Sequence, residues 1–243
     1  MGIAFRFKLI PFVATVLVVT LGIQLGNWQE RRAAQKLVLQ AKLAQGNASA
    51  PVVLDGAPLA AEAVEFRRVA VTGEFVANWP LYLDNRPSAG RSGFYLLMPF
   101  KITGSGMHVL VARGWLPRDP ADRAKLPAYA TPSGPVTLEG MARIDAGHVL
   151  ELGKAPVLTP GAIVQNADPL QVARDSGLTM QPFLIEQAGP AKPAGDDTRM
   201  VRDWPAPALG VEKHQGYAFQ WYALSAMAVI FFVVNGFRRG KQK

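Results

Sequence analysis

The sequence predicts a membrane protein of the α+β class, in which two transmembrane helices flank an antiparallel β-rich domain with short helices. Two stretches predict the helices, because residues 9–27 and 217–236 contain no Asp, Glu, Lys or Arg. Between them, short strand-like runs alternate with Gly- and Pro-rich turns, as is typical of a barrel or a sandwich. The composition agrees, with 49% hydrophobic residues and a positive mean hydropathy.

Each uncharged stretch is long enough to cross a bilayer, because about 20 helical residues at about 1.5 Å each span its ~30 Å hydrocarbon core. The first stretch could also be a signal peptide, but no Ala-x-Ala-like cleavage site follows it. We therefore expect transmembrane helices at residues 9–28 and 214–235, which leaves both termini on one side. Gly22 and Gly26 form a small-xxx-small pair, and its expected partner is the second helix.

Basic residues indicate which side of the membrane each segment occupies. The first helix is ambiguous, because basic residues lie at both of its ends, whereas the second has a basic tail that contains Arg238, Arg239, Lys241 and Lys243. The positive-inside rule then makes residues 1–8 and 236–243 cytoplasmic. We expect residues 29–187 to form a periplasmic domain of a bacterial inner-membrane protein. Residues 188–213, rich in proline, should form a linker.

Within the central domain, a composition rich in Ala, Leu, Gln, Lys and Arg predicts a helix that continues over residues 30–45 and ends near Gly46. Two shorter helices are predicted at residues 119–126 and 169–176, the second capped by Asp168 and ended by Gly177. Asp196 and Asp197 fall in the predicted linker and are expected to be solvated. Strands are predicted at residues 65–75, 81–83, 94–100, 108–113, 136–144 and 183–186.

Composition excludes several classes of function. Six basic residues near the two termini account for most of the net charge of +8, which leaves +2 for the rest of the chain. The charge therefore reflects membrane topology, and we expect no nucleic-acid partner. There are no cysteines, so disulfides, thiolate catalysis and Cys-ligated metal sites are excluded.

No catalytic signature occurs in the sequence, neither a Gly-x-Ser-x-Gly elbow, a phosphate-binding Gly-rich loop nor a His-Glu-x-x-His motif. We therefore expect no enzymatic activity. His108 lies in a predicted strand and His148 in a turn, and neither is expected to be a ligand.

His214 has a different setting, at the mouth of the second apolar helix. Helical spacing puts Tyr217, Ala218 and Trp221 on the same stripe, with Ser225 one turn further along. A neutral imidazole in such a place can bind haem iron while the bilayer accommodates the macrocycle. It can equally be an interfacial residue that contacts lipid headgroups.

Arg31 and Arg32 lie at the same membrane level on the first helix. Two interpretations of these arginines are open. A guanidinium can pair with a haem propionate through two hydrogen bonds. The alternative is ordinary contact with lipid headgroups.

Six sequence blocks resemble the surfeit locus protein 1 family, called Shy in yeast, and they occur in the family's order from end to end of the chain. The most specific are Arg113-Gly114-Trp115-Leu116-Pro117 and His214-x-x-Tyr217-Ala218-x-x-Trp221. The others are Leu25–Gln29 with Arg31, Arg32 and Lys36; Phe66–Val69 with Gly73 and Phe75; Gly93-Phe94 with Pro99; and Gln165–Asp168. One departure is Glu212-Lys213, where the family is often rich in Asn.

The resemblance implies an assembly factor for cytochrome c oxidase, with two membrane helices around a periplasmic or intermembrane-space domain. It implies transient haem a binding with His214 as the axial ligand, and subunit I of the oxidase and the haem a synthesis enzymes as partners. Trp28, Tyr217 and Trp221 would then be apolar walls of the site, and Arg31 or Arg32 would lie near the propionates. The alternative is a cofactor-free membrane scaffold that stabilises subunit I.

Overall fold

The computed structural model describes residues 3–5, 7–122, 125–149, 156–207 and 209–239. The chain forms two compact units. One contains the two terminal segments, residues 1–42 and 207–243, and the other contains residues 43–206. We refer to them as the helical unit and the barrel domain.

Two long helices form most of the helical unit. Helix α1 runs from Leu9 to Ala48, so its last turns belong to the barrel domain, and helix α4 runs from Val211 to Gly236. Both are long and apolar enough to cross a membrane. The prediction that the first helix continues beyond its apolar stretch, through residues 30–45, is confirmed.

Small residues bring the two helices together. A methyl group at Gly22 would collide with the Ser225 hydroxyl oxygen, and one at Gly26 would collide with the ring of Tyr222. Side chains of α4 therefore fill the space above both glycines, as small-xxx-small pairs allow. The predicted partner of this pair, the second apolar helix, is confirmed.

A short strand pair joins the segments that flank the two helices. Strand β1 (Ile3–Phe5), before α1, pairs antiparallel with strand β10 (Phe237–Arg239), which follows α4 directly. The start of α1 and the end of α4 therefore lie at the same end of the helix pair.

The barrel domain is a closed sheet with additional edge strands. Five strands form the ring in the order β3-β7-β9-β6-β5, and β5 closes it by pairing with β3. Strand β2 extends β3, while β4 and β8 extend β5. The strands are β2 (Val52–Leu54), β3 (Arg68–Phe75), β4 (Leu81–Leu83), β5 (Gly93–Ile102), β6 (His108–Pro117), β7 (Val136–Arg143), β8 (Ile163–Val164) and β9 (Met180–Gln187).

The predicted barrel is confirmed, but its strand pairing is mixed where a wholly antiparallel sheet was predicted. Strand β9 is parallel to β6, and the pairs β2–β3 and β4–β8 are also parallel. Parallel neighbours require a long connection between them. The chain between β6 and β9 provides one, since it includes helix α3 (Pro169–Ser176).

Alternating apolar residues of the ring strands form the core. Every second residue of β3 from Val69 to Phe75 is buried, and the same alternation holds at the start of β7. Residues of this core that are at most 1% exposed are Val69, Val71, Met98, Phe100, Ile102, Val109, Val111, Leu138, Ala142, Phe183 and Ile185.

Of the two predicted short helices, one is confirmed. Helix α3 begins after Asp168, whose carboxylate accepts hydrogen bonds from the backbone N–H groups of Leu170 and Gln171, and it ends at Gly177 with φ 71°. Helix α2 (Ala61–Val64) was not predicted.

The helix predicted at residues 119–126 is wrong for its described residues, 119–122 and 125–126, which are bends and irregular structure. Residues 123 and 124 lie outside the described part of the chain. The Asp119 carboxylate caps the N–H groups of Ala121 and Asp122, and Lys125 Nζ lies 3.0 Å from the same carboxylate. A segment this short that lies between Pro120 and Pro127 forms an Asx turn more readily than a helix.

Most of the predicted linker packs onto the barrel. Residues 188–206, which we call the strap, belong to the barrel domain. Lys192 exchanges both backbone hydrogen bonds with Thr137 of β7, and Val201 does the same with Trp115 of β6.

The strap is fixed by a carboxylate that was predicted to be solvated. Asp196 is 9% exposed and Asp197 4% exposed, so that prediction is wrong. Asp196 forms ion pairs with Arg113 and Arg202, both through Nη2, and accepts a hydrogen bond from Gln187 Nε2 at 2.6 Å. Arg113, at the centre of β6, has a side chain with no solvent exposure. The carboxylate thereby neutralises a guanidinium inside the barrel.

Hydrogen bonds determine the ionisation of Asp196. Burial alone would raise the pKa of this carboxyl, but the backbone N–H of Ala191 and the guanidinium of Arg113 hold the pKa below its usual value. Asp196 therefore stays charged at neutral pH and keeps its two arginine partners.

Glu186 on β9 makes the stability of the barrel depend on pH. Burial raises the pKa of its carboxyl from 4.5 to about 7, although Arg143 Nη1 lies 3.5 Å away. Since the folded state binds this proton more tightly than the unfolded state, Glu186 stabilises the fold below pH 4.5. That stability is lost as pH rises through 7.

We expect the free energy of unfolding of the wild type to fall relative to Glu186→Gln between pH 5 and pH 8, by on the order of 2 kcal/mol. Urea denaturation of both proteins at the two pH values measures this difference. A difference that stays constant with pH would contradict the raised pKa.

Candidate functional site

The sequence predicts the candidate site around His214, which lies at the beginning of α4. The helix starts at Val211, after Gly210 with φ 57°, and His214 lies in its first turn. The imidazole is half-buried. Glycine suits this position, because it adopts the left-handed backbone conformation before the helix at little energetic cost.

A hydrogen bond to α1 fixes the His214 ring. Nδ1 of His214 lies 2.7 Å from Oε1 of Gln29. An amide oxygen only accepts, so Nδ1 carries the proton and Nε2 of the neutral ring is left with its lone pair. This is the arrangement in which histidines bind metals, since their second ring nitrogen usually donates to an oxygen nearby.

The predicted stripe on α4 is largely the face that contacts α1. Ala218 is 0% exposed and Ser225 6%, while His214 and Trp221 are half-buried. Tyr217 differs, because 54% of it is exposed. The stripe therefore combines helix packing with one outward-facing aromatic ring.

The predicted site residues on α1 lie on its exposed surface. Trp28 is 48% exposed, and both Arg31 and Arg32 are exposed. Arg32 Nη1 donates a hydrogen bond to Gln35 Oε1 at 3.0 Å. Arg32 follows Gln29 by three residues, and residues at this spacing are neighbours on the helix surface. The partner of His214 and one of the predicted arginines thus occupy adjacent turns.

Gln29 was not among the predicted site residues. A signal was present, because Gly22, Gly26, Gln29 and Ala33 follow one another at helical spacing, and all four are buried or half-buried. Two residues before Gln29, a second polar contact joins the helices, in which Tyr222 Oη donates to Asn27 Oδ1 at 2.8 Å.

The other two histidines lie in the barrel domain. His108 Nδ1 is 3.1 Å from the carbonyl oxygen of Thr179, and His148 is exposed in a loop. Among the described residues, no group of three or more His, Cys, Asp or Glu side chains could hold a metal ion. In this part of the chain, no cluster of side chains is therefore suited to hold a metal ion without further ligands.

Comparison with known proteins identifies the family. The model of the SURF1 family matches residues 16–226. Surfeit locus protein 1 of Homo sapiens is 29% identical over 89% of this chain and 74% of the human protein. A SURF1-like protein of Rickettsia felis is 33% identical over 42% of this chain and 45% of its own length. The cytochrome oxidase assembly protein SHY1 of Saccharomyces cerevisiae is 34% identical over 38% of this chain and 24% of its own. Because the family model covers most of α1, the first part of α4 and the whole barrel domain, the chain belongs to the SURF1 family.

Proposed function

We propose that this chain assists the assembly of cytochrome c oxidase by holding haem a transiently on His214 and delivering it to subunit I. Two findings support the proposal. The yeast relative is named a cytochrome oxidase assembly protein. The contact of His214 Nδ1 with Gln29 makes Nε2 the nitrogen that a neutral ring offers to a metal, and this is the observation that carries the proposal.

The predicted site residues have the chemistry that a haem requires. An imidazole nitrogen is a common axial ligand of haem iron. Trp28, Tyr217 and Trp221 would provide apolar walls, and Arg31 or Arg32 would pair with the propionates. Under this proposal the chain binds and orients haem a, and haem a carries out its chemistry only in the oxidase. Few bonds hold the ligand, which suits fast release.

The proposed location is the bacterial inner membrane, with the barrel domain in the periplasm and both termini in the cytoplasm. The basic C-terminal tail supports this orientation, and so does the pairing of β1, before α1, with β10, after α4. Haem a synthesis enzymes in the same bilayer would supply the ligand.

A scaffold without a cofactor is the alternative, and the exposed aromatic rings favour it. Trp28 and Tyr217 lie on surfaces of the helices that do not contact each other, so they could pack against helices of subunit I. In that case Gln29 and His214 would only join the two helices.

Oxidase assembly in cells that lack the chain tests the general proposal. We expect their membranes to contain less assembled oxidase, measured from the haem a absorbance of membranes and from oxygen consumption with reduced cytochrome c. Expression of the wild-type chain should restore both quantities. Unchanged oxidase in the absence of the chain would contradict a role in assembly.

The role of Gln29 gives a more specific prediction. In Gln29→Leu, His214 loses the oxygen that fixes its tautomer, and we expect haem a affinity to fall about 10–100-fold. The matched control is Gln24→Leu, which replaces an exposed glutamine of the same helix. Titration of haem a into both purified proteins, followed by visible absorbance, measures the two affinities. Equal affinities would show that Gln29 does not position His214.

A further inference from the structure

A pocket in the barrel domain has no part in the proposed haem chemistry. Its volume is about 240 Å³, and its lining includes Asp84 and Arg86 after β4, Ser92 before β5, Arg118 after β6, and Gln165. Two of the sequence blocks described above begin at this pocket, with Gly93 and Gln165, and a third ends directly before Arg118. They enclose it with residues far apart in the sequence, so the barrel fold creates it.

Arg86 is held rigidly at this pocket. The residue is 7% exposed, and its Nη2 donates to the carbonyl oxygens of Gly147 and Gln165 at 2.7 and 3.2 Å. Its own carbonyl oxygen accepts a hydrogen bond from Trp115 Nε1 at 2.7 Å. Burial lowers the pKa of Arg86, but the ordinary pKa of a guanidinium is so high that Arg86 keeps its charge at neutral pH.

Arg118 contributes a second guanidinium. Its side chain is 14% exposed, and its Nη2 lies 2.8 Å from Asp84 Oδ2. The guanidinium carbon lies 4.4 Å from the centroid of the Phe94 ring. Stacking and ion pairing thus fix its orientation.

Both guanidinium groups retain an unused donor. Within the described part of the chain, four buried side-chain nitrogen or oxygen atoms lack a hydrogen-bond partner, and two of them are Nε of Arg86 and Nε of Arg118. Buried polar groups in native proteins are usually paired, so each such atom requires an explanation. The lining carries two guanidinium groups and one carboxylate, Asp84. Asp145, outside the lining, adds a second negative charge that acts on Arg86. The two fixed guanidinium groups with their unused donors are therefore what an anion would engage.

We propose that this pocket binds a small oxyanion, a molecule that carries a phosphate or a carboxylate group. Guanidinium N–H groups are the donors that most often bind these two groups in proteins. Pockets for drug-sized ligands measure about 300–1,000 Å³, so this one suits a ligand of few atoms. Asn85, Ser92 and Gln165 add amide and hydroxyl donors around it.

Calorimetric titration of the full chain in detergent tests this site. Sodium phosphate and sodium succinate serve as probes, and sodium chloride at equal ionic strength corrects for screening. We expect at least one probe to bind saturably. A response to phosphate alone identifies a phosphate ligand, and a response to succinate alone identifies a carboxylate. No saturable binding of either probe would overturn the proposal.

A charge variant connects the binding to this pocket. Ser92 is exposed, so Ser92→Asp adds a carboxylate at the rim while Arg86 and Arg118 keep their contacts. We expect repulsion to weaken binding at least about tenfold. The control, Ser133→Asp, adds the same charge at an exposed site that does not line the pocket and should bind like the wild type. If Ser92→Asp also binds like the wild type, the site is elsewhere and the proposal fails.

Discussion

Replacement of Asp196 with alanine is expected to lower the free energy of unfolding of the barrel domain by about 3–5 kcal/mol, because it leaves a buried charge without its partner. Arg113 has no solvent exposure, so water cannot replace the lost carboxylate. The same change removes one of the two acceptors of Gln187 Nε2 and one partner of Arg202. Since Asp196 belongs to the strap and Arg113 to β6, the strap should detach from the barrel as well.

Urea denaturation of the full chain in detergent, followed by tryptophan fluorescence, measures this loss. Trp204 reports on the strap directly, since its Nε1 donates to the carbonyl oxygen of Gln187 at 2.8 Å. The matched control is Glu139→Ala, which breaks the ion pair between Arg68 and Glu139, two side chains that are 46% and 59% exposed. It should cost at most about 1 kcal/mol. Equal losses in the two variants would mean that the buried pair does not hold the strap.

Local patterns in the sequence predicted the elements of the fold well. The uncharged stretches, the glycine pair at Gly22 and Gly26 and the capping of α3 by Asp168 each depend on residues close together in the chain. The parallel pairing of β6 with β9 could not be predicted in this way, because it depends on contacts between residues such as Leu110 and Leu184. Strand order is a property of the closed barrel.

The strap was missed for a similar reason. The predicted linker, residues 188–213, contains four prolines and two adjacent aspartates, and such a composition is typical of a solvated linker. Asp196 is buried because Arg113, which lies 83 residues earlier, needs a counter-charge inside the barrel. Only knowledge of that contact would have identified the segment as part of the domain.

The candidate site was predicted in part. His214 could be singled out from its position at the mouth of an apolar helix, and the described structure adds the partner that orients its ring. That partner, Gln29, lies 185 residues away in the chain. The roles of Trp28, Tyr217, Trp221, Arg31 and Arg32 towards haem a remain predictions from the resemblance, because they depend on the bound ligand.

The largest functional effect is expected for His214→Ala. The variant removes the proposed iron ligand, while the packing of Gly22 and Gly26 against α4 stays intact. Since the loss of a residue that merely orients a ligand costs about 10–100-fold in affinity, the loss of the ligand itself should lower haem a binding at least that much. The scaffold alternative predicts no such dependence on the imidazole, and the variant would then still support oxidase assembly.

His148→Ala is the matched control, because it removes an imidazole that is exposed in a loop of the barrel domain. Circular dichroism of both variants verifies that they are folded. A folded His214→Ala protein that supports oxidase assembly as well as the wild type would favour the scaffold.

The visible spectrum of the detergent-purified protein, co-expressed with the haem a synthesis enzymes, tests the central claim most directly. Wild type and His148→Ala should carry haem a, and folded His214→Ala should carry little or none. Equal haem a content in His214→Ala and the wild type, or no haem a in any of the three proteins, would contradict a carrier centred on His214.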